Sequence, residues 1–179
     1  GKIDESERKE RREAMGRLFY IMGKSASGKD TIYQRLLRNP EFSLERLVIY
    51  TTRPIRDGEL DGREYHFVTE EDFQKLKAEG KIIEDRGYET VYGLWRYFTA
   101  DNMNLEEKSY LGIGTLESYE KLKAYYGEEK IRPIYIEVED GERLKRAIAR
   151  EETQEARKYE EMCRRFLADE KDFSKERLA

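Results

Sequence analysis

The stretch that decides the fold is RLFYIMGKSASGKDTIYQRLLR, residues 17–38. Residues 17–22 are apolar enough for a buried strand, and residues 29–38 place apolar side chains on one face of a helix. Between them, Gly23 to Asp30 form a loop of glycine and small residues, GKSASGKD. Such residues let backbone N–H groups converge on a phosphate, and the helix N-terminus adds partial positive charge. The stretch therefore predicts a phosphate-binding loop between a strand and a helix.

The loop also carries the charged groups that a nucleoside triphosphate requires. Lys29 is placed to reach the β- and γ-phosphates and to follow the charge into the transition state. The next residue in such loops is normally a Ser or Thr that binds Mg²⁺, whereas this chain has Asp30 followed by Thr31. We expect Asp30 to bind Mg²⁺, since carboxylates are good Mg²⁺ ligands; the alternative is that it only caps the helix. The residues predicted to bind ATP are Gly23, Ser25, Ala26, Ser27, Gly28, Lys29, Asp30 and Thr31.

Strands and helices alternate along the rest of the chain. The predicted strands cover residues 17–22, 47–50, 109–113 and 131–138, with short strands or a hairpin over 82–98. The predicted helices cover residues 29–38, 69–79, 115–126, 140–150 and 155–168. This alternation predicts an α/β domain with a parallel sheet and right-handed crossovers.

Composition excludes several classes of protein. Asp plus Glu is 39 and Lys plus Arg is 35, so the net charge of −4 argues against a general nucleic-acid binder. The single cysteine, Cys163, and the single histidine, His66, allow neither an internal disulfide nor a Cys/His zinc site, and fit a reducing cytoplasm. No apolar run approaches the ~20 residues that span a bilayer. From the negative net charge we expect no nucleic acid as a partner, and from the missing apolar run we expect no membrane.

The N-terminal segment differs from the rest of the chain. Residues 2–14 are nearly all charged and carry no apolar stripe, as in a solvated helix or a disordered arm. Met15 is followed directly by Gly16 and the first predicted strand. We expect residues 1–14 to be an extension and the domain to cover 15–179.

A second group of phosphate-binding side chains lies in residues 51–68, TTRPIRDGELDGREYHFV. Arg53 and Arg56 stand three residues apart, and Glu59 and Tyr65 follow them. Two guanidinium groups and a phenol can hold one phosphate from several sides. The glycines and the proline of this segment indicate a shaped loop more than a solvated charged stretch.

The pattern TTRPxRxGExxGxxYxFV, following a phosphate loop, resembles the guanylate kinase family. The resemblance runs from about Gly16 to Phe166 and is strongest up to Gly93. It implies a three-layer P-loop kinase fold with a parallel central sheet, a small subdomain that binds the nucleoside monophosphate (NMP), and a helical lid. The implied divisions are a core of 16–50 and 99–179, a lid near 146–160 and an NMP-binding subdomain at 51–98.

The resemblance also implies how the acceptor is bound. The residues implied to bind the monophosphate are Arg53, Arg56, Glu59, Tyr65, Glu84, Tyr92 and Gly93. Glu84 would accept hydrogen bonds from guanine N1–H and N2–H₂, a pair of donors that the corresponding edge of adenine lacks. Tyr92 would add a contact to the phosphate.

The family's activity is transfer of a phosphoryl group from ATP to GMP, or dGMP, with Mg²⁺. The family's lid arginines correspond by resemblance to Arg146, Arg150 and Arg165, or to Arg164 in place of Arg165. The resemblance implies that these arginines act with Lys29 and Arg53 in catalysis. Such arginines neutralise charge on the transferring group. The expected partners are therefore small nucleotides, and the expected state is a monomer or homodimer.

Four features depart from the family pattern. Ile49 stands where the family carries a Ser, and Leu94 stands where Ser or Thr follows Tyr-Gly. Gly112 and Gly114 replace both Asp residues of the strand motif L-D-I-D, and the final strand ending in N-D-D has no counterpart. Two explanations are compatible with these departures. In one, Asp30 has taken over the role of the metal-binding carboxylate; in the other, the base pocket has changed to accept another base. The two do not exclude each other.

Three functions thus stay open at this stage. The first is a guanylate kinase with a rearranged metal site, and the second is a kinase for a different nucleoside monophosphate. The third is an inactive guanylate-kinase-like module that binds phosphopeptides or other partners. Lys29 argues against the third, because a scaffold has no need of a phosphate-binding lysine.

Overall fold

The structure, a computed structural model, describes residues 4–6 and 16–173, with only the backbone described at 170–172. The predicted N-terminal extension therefore lies mostly outside the described residues. In chain order, the strands are β1 (Leu18–Gly23), β2 (Leu44–Arg46), β3 (Tyr50–Thr51), β4 (His66–Phe67), β5 (Ile82–Thr90), β6 (Gly93–Ala100), β7 (Ser109–Ile113) and β8 (Ile131–Ile136). The helices are α1 (Lys29–Arg38), α2 (Glu70–Ala78), α3 (Leu116–Tyr126), α4 (Asp140–Glu152) and α5 (Tyr159–Asp172).

In the described residues each of the two sheets has four strands; the one with the larger hydrophobic core, called the larger sheet, is parallel throughout, with the strand order β2-β7-β1-β8. The central strand β1 sets Leu18 beside Tyr110 of β7 and beside Ile131 of β8. Parallel neighbours require crossovers, and helices supply them here, as the alternation in the sequence predicts. The predicted α/β fold with a parallel central sheet is confirmed.

Helices cover both faces of this sheet. On one face, Ile21 and Leu111 pack against Tyr33 of α1. On the other, Leu18 packs with Leu116 and Leu122 of α3. Each buried side chain of this size contributes about 1.5–3 kcal/mol of hydrophobic free energy. These two apolar layers fix the sheet and so hold the loops at its carboxyl edge.

The smaller sheet has the order β4-β3-β6-β5 and is built around the β5–β6 hairpin. Helix α2 covers one face of it, where Phe73 and Phe98 are both fully buried. This helix begins with a pairing of Thr69 and Asp72, in which each side chain accepts a hydrogen bond from the other residue's backbone N–H, at 3.1 and 2.9 Å.

The predicted strand at 47–50 is wrong. Strand β2 ends at Arg46 and β3 begins at Tyr50, so the chain crosses from the larger to the smaller sheet between them. Within this crossing the Leu47 N–H still donates to Leu111 of the larger sheet (2.9 Å), whereas the Ile49 carbonyl accepts from His66 of the smaller (2.9 Å). The segment is apolar because both sheets half-bury it.

The C-terminal part of the described chain is helical. No strand follows β8 within residues 137–173; instead, α4 and α5 pack against each other. Helix α5 begins at Tyr159, later than predicted, because the Lys158 N–H is held by the Glu151 carboxylate at 2.7 Å. None of the helices in the described ranges is long and apolar enough to cross a membrane.

Candidate active site

The phosphate loop joins β1 to α1 at the carboxyl edge of the larger sheet. Gly28 has φ 86°, a left-handed conformation that favours glycine, and it is the residue from which α1 starts. At Gly23 a Cβ atom would lie 2.9 Å from Ser27 Oγ and 3.0 Å from the Ile136 carbonyl oxygen, so only glycine fits. The loop therefore turns tightly and points the first N–H groups of α1 outward, as an anion site requires.

Asp30 lies in the first turn of α1 and is exposed. The N-cap is Gly28 and makes no side-chain cap hydrogen bond, so Asp30 does not cap this helix. Among the described residues, no three His, Cys, Asp or Glu side chains cluster as a metal site. An exposed carboxylate beside a phosphate loop nevertheless suits Mg²⁺, which is usually bound by one or two carboxylates together with substrate phosphates.

The predicted lid arginines divide into two groups. Arg146 lies over the loop, with Nη1 3.8 Å from the position of a Cβ at Gly28. Arg150 and Arg165 line a cavity of about 50 Å³ that the phosphate loop also lines. Arg164 instead pairs with Glu161 of its own helix, at 2.9 Å between Nε and Oε2. The structure thus brings Arg165, and not Arg164, to the loop.

A buried arginine that was not predicted from the sequence contacts the backbone of the phosphate loop. Arg143 of α4 is fully buried and donates from Nη1 to the Ser25 carbonyl at 3.2 Å. Its guanidinium lies 4.3 Å from the Phe166 ring centroid. The Ser25 N–H donates to the Asp169 carboxylate at 2.8 Å. Charged helix residues usually face solvent, so no local pattern distinguishes Arg143 from its exposed neighbours.

In the predicted acceptor loop, residues 51–68, Arg53 is almost fully buried. Its two terminal nitrogens each donate to one carboxylate oxygen of Glu59 at 2.9 Å. The rings of Tyr65 and Phe67 lie 5.5 and 5.6 Å from its guanidinium carbon. The Arg53 guanidinium, above all, lowers the pKa of Glu59 to about 2 from its ordinary 4.5. Glu59, predicted to bind the monophosphate, is therefore engaged with Arg53 and fixes its direction.

The opposite face of the smaller sheet gathers several acceptor-site candidates. Residues two apart on a strand share a face, so Tyr97 and Thr99 of β6 lie on the face away from Phe98 and helix α2. Thr99 donates to the Glu84 carboxylate at 3.2 Å. Tyr65 packs edge-on against Tyr97, with 5.6 Å between the ring centroids. Glu84 and the Arg53–Tyr65 group therefore share one side of this sheet.

Glu84 faces a cavity of about 130 Å³ between β5 and the start of α3. Its side chain is 6% exposed, and one of its oxygens lies 3.9 Å from Arg86 Nε. A buried carboxylate that opens onto a cavity is placed to accept hydrogen bonds from a ligand. The cavity is lined by Glu84, Asp85, Arg86, Thr115, Leu116, Glu117, Ser118 and Lys121.

Tyr92 and Gly93 lie away from this cavity. Strand β5 continues from Glu84 to Thr90, so Glu84 and Thr90 lie about 20 Å apart at the usual strand rise. Tyr92 follows in the hairpin turn, 82% exposed and stacked on Trp95 at 6.0 Å. Arg56 is also exposed, and only its backbone N–H meets Glu59, at 2.8 Å. The structure therefore does not bring every predicted contact together.

Comparison with known proteins gives the family. A family model described as guanylate kinase matches residues 15–175. The chain belongs to the guanylate kinase family. A guanylate kinase of Wolbachia pipientis is 30% identical over 161 residues, covering 89% of this chain and 77% of that protein. The resemblance carried by the arginine loop is thereby confirmed.

Two further guanylate kinases show how far the similarity extends. That of Schizosaccharomyces pombe is 40% identical over 101 residues, 56% of this chain but only 44% of that protein. The crystal structure of guanylate kinase from Anaplasma phagocytophilum matches with a TM-score of 0.51 at 26% identity, covering 74% of this chain and 66% of that one. The matched region thus spans about half the length of several curated relatives.

Proposed function

We propose that this member of the guanylate kinase family transfers the γ-phosphoryl group of ATP to GMP or dGMP, giving ADP and the nucleoside diphosphate. The observation that carries the proposal is the position of Glu84. Its buried carboxylate opens onto a cavity on the same side of the smaller sheet as the fixed guanidinium of Arg53. One group suits a guanine edge and the other suits a phosphate.

On the donor side, the loop from Gly23 to Thr31 binds the triphosphate of ATP. Its backbone N–H groups and Lys29 contact the phosphate oxygens. Arg146, Arg150 and Arg165 lie around this loop. They neutralise the negative charge that is shared by the two substrates.

On the acceptor side, Arg53 and Tyr65 receive the phosphate of GMP, and Arg56 closes on it from the exposed part of the loop. Glu59 acts through Arg53 by holding its guanidinium in one direction, since both carboxylate oxygens are engaged with it. Glu84 accepts from guanine N1–H and N2–H₂. Tyr92 and Gly93, at the end of the hairpin, join the phosphate only if the hairpin bends toward it when substrates bind.

The chemical step needs no covalent enzyme intermediate. A phosphate oxygen of GMP attacks the γ-phosphorus, the bond from that phosphorus to the β–γ bridging oxygen breaks, and ADP leaves with the electron pair. The protein contributes alignment of the two phosphates and positive charge around the transferring group. Exclusion of water by closure of the lid suppresses hydrolysis of ATP.

Mg²⁺ belongs to this proposal as the ion that accompanies ATP. Asp30 is a carboxylate placed to hold it, since it is exposed in the first turn after the phosphate loop. When bound, the ion neutralises charge on the phosphate oxygens. We place the reaction in the cytoplasm, because the single Cys163 fits a reducing compartment.

The experiment is an ADP-release assay over a panel of monophosphates: GMP, dGMP, AMP, CMP and UMP. We expect GMP and dGMP to be turned over ahead of the others. If AMP or UMP leads, the acceptor in the proposal is wrong although the chain is a kinase. If none is turned over beside an active control enzyme, the inactive binding module is the better description.

A further inference from the structure

Tyr20 on β1 occupies space that side chains of β7 and its following loop would otherwise fill. A Cβ at Gly112 would lie 2.8 Å from Tyr20 Cδ2, and a Cβ at Gly114 would lie 2.0 Å from the Tyr20 hydroxyl oxygen. Real Cβ atoms do not approach other atoms so closely, so a side chain at either position would displace the Tyr20 ring. The two glycines and this tyrosine are therefore one packing unit.

The Tyr20 hydroxyl lies beside residues that line the acceptor cavity. Gly114 directly precedes Thr115, and both Thr115 and Ser118 line that cavity. Tyr20 is 5% exposed, and burial raises its pKa, against the effect of a hydrogen bond with the Ser118 side chain. The phenol is therefore neutral at any physiological pH and keeps its proton.

The hydrogen bonds around this hydroxyl give it a direction. Thr115 Oγ1 accepts from the Ser118 N–H at 3.1 Å and donates its own proton to Ser118 Oγ at 3.0 Å. The Ser118 proton is then available to the Tyr20 oxygen. The Tyr20 proton is left for an acceptor in the cavity, because a hydroxyl donates one hydrogen bond.

We infer that Tyr20 is a specificity-determining residue that donates a hydrogen bond to the 6-oxo group of the guanine base. The inference rests on the proposed function. Once the Glu84 carboxylate takes the N1–H and N2–H₂ donors, O6 is the remaining acceptor on that edge of the base. A chain of hydrogen-bond donors thus runs from Thr115 through Ser118 to Tyr20 and ends at the base. Tyr20 donates to the base, whereas Glu84 accepts from it.

The test compares GMP with 6-thio-GMP, which keeps N1–H and N2–H₂ but replaces O6 with sulfur, a weak acceptor. Tyr20→Phe removes only the hydroxyl, and Tyr119→Phe is the matched control. Tyr119 stacks on Tyr20, with 6.5 Å between the ring centroids, so its variant makes the same chemical change in a neighbouring ring. KM and kcat for both acceptors, KM for ATP and the melting temperature are measured for each variant.

The expected result is a KM for GMP that rises about fivefold to tenfold in Tyr20→Phe, the usual effect of one lost hydrogen bond. The KM values for ATP and 6-thio-GMP stay within about twofold, and Tyr119→Phe behaves as the wild type. An unchanged KM for GMP, or an equal rise for both acceptors, overturns the inference. If the wild type shows no turnover, the proposed function fails. The role of Tyr20 is then decided by calorimetry, in which the ratio of the Kd of Tyr20→Phe to that of the wild type is compared for GMP and 6-thio-GMP.

Discussion

The Asp169 carboxylate accepts a hydrogen bond from the Ser25 backbone N–H at 2.8 Å, and so ties the last described helix to the phosphate loop. Arg143 donates to the carbonyl of the same residue at 3.2 Å, and its Nη1 lies 3.9 Å from the Asp169 carboxylate. The Ser25 residue is thus held at its N–H and its C=O by two charged side chains from α5 and α4. Helices α4 and α5 therefore help to set the shape of the phosphate loop, the proposed ATP site.

Replacing Asp169 with Ala tests this support. The Ser25 N–H loses its acceptor, which costs about 1–3 kcal/mol of unfolding free energy when the group is not rehydrated. We expect a loss of stability in that range and a higher KM for ATP, because the loop is held less firmly. Chemical denaturation and steady-state kinetics measure the two effects.

The control for this variant is Glu160→Gln, which removes one exposed negative charge from the same helix. It should leave the free energy of unfolding and the KM for ATP unchanged. Wild-type values of both quantities in Asp169→Ala would show that the contact does not support the loop.

Glu59 is expected to act by orienting Arg53. Glu59→Gln keeps the size of the side chain but removes the charge that holds a guanidinium only 4% exposed. We expect the KM for GMP to rise about tenfold or more, because a guanidinium that is no longer held in one direction binds the GMP phosphate less well. The KM for ATP should change little. Asp57→Asn, an exposed charge change in the same loop, is the control. Equal KM values for GMP in both variants would contradict this role.

The ion pair of Arg53 and Glu59 stabilises the protein only within a defined pH range. The Arg53 guanidinium holds the pKa of Glu59 at about 2, below its ordinary 4.5. A carboxyl whose pKa is lowered by folding stabilises the protein above its unfolded pKa, and this contribution is lost as the pH falls from there toward the folded pKa. We therefore expect the full stabilising contribution of the pair above about pH 5, and its loss as the pH falls below that value. A carbon NMR titration of the Glu59 carboxyl should show a midpoint near 2; a midpoint at 4.5 would mean that the pair does not form in solution.

Asp30 is expected to set the Mg²⁺ requirement. Asp30→Ala removes the carboxylate proposed to hold the ion, and we expect the Mg²⁺ concentration for half-maximal activity to rise about tenfold. Asp30→Asn keeps an oxygen ligand and should be intermediate. Near-full activity of Asp30→Ala at limiting Mg²⁺ would show that the metal site has not moved to this residue, while leaving the kinase proposal standing.

Local patterns predicted much of the fold. The phosphate loop, helix α1 and the start of α2 at Thr69 were predicted because glycine geometry and capping depend on neighbours in sequence. The strand predicted at 47–50 was wrong because its apolar residues serve the crossing between two sheets. Apolar runs alone do not distinguish a strand from a half-buried connection.

The contacts that complete the candidate site are mostly non-local and so were not predicted. Tyr20 fills the space over Gly112 and Gly114 from a neighbouring strand, about ninety residues away in the sequence. Arg143 reaches the phosphate loop from helix α4. Single positions give no signal of such pairings, and Gly112 and Gly114 by themselves indicated only the loss of two carboxylates.

The most direct test of the central claim follows the phosphoryl group itself. ATP labelled at its γ-phosphate is mixed with GMP, Mg²⁺ and the protein, and the products are separated by chromatography. We predict that the label appears in GDP, in step with formation of unlabelled ADP, and that Lys29→Ala abolishes the transfer. Label found only in inorganic phosphate, or remaining in ATP, would contradict the account.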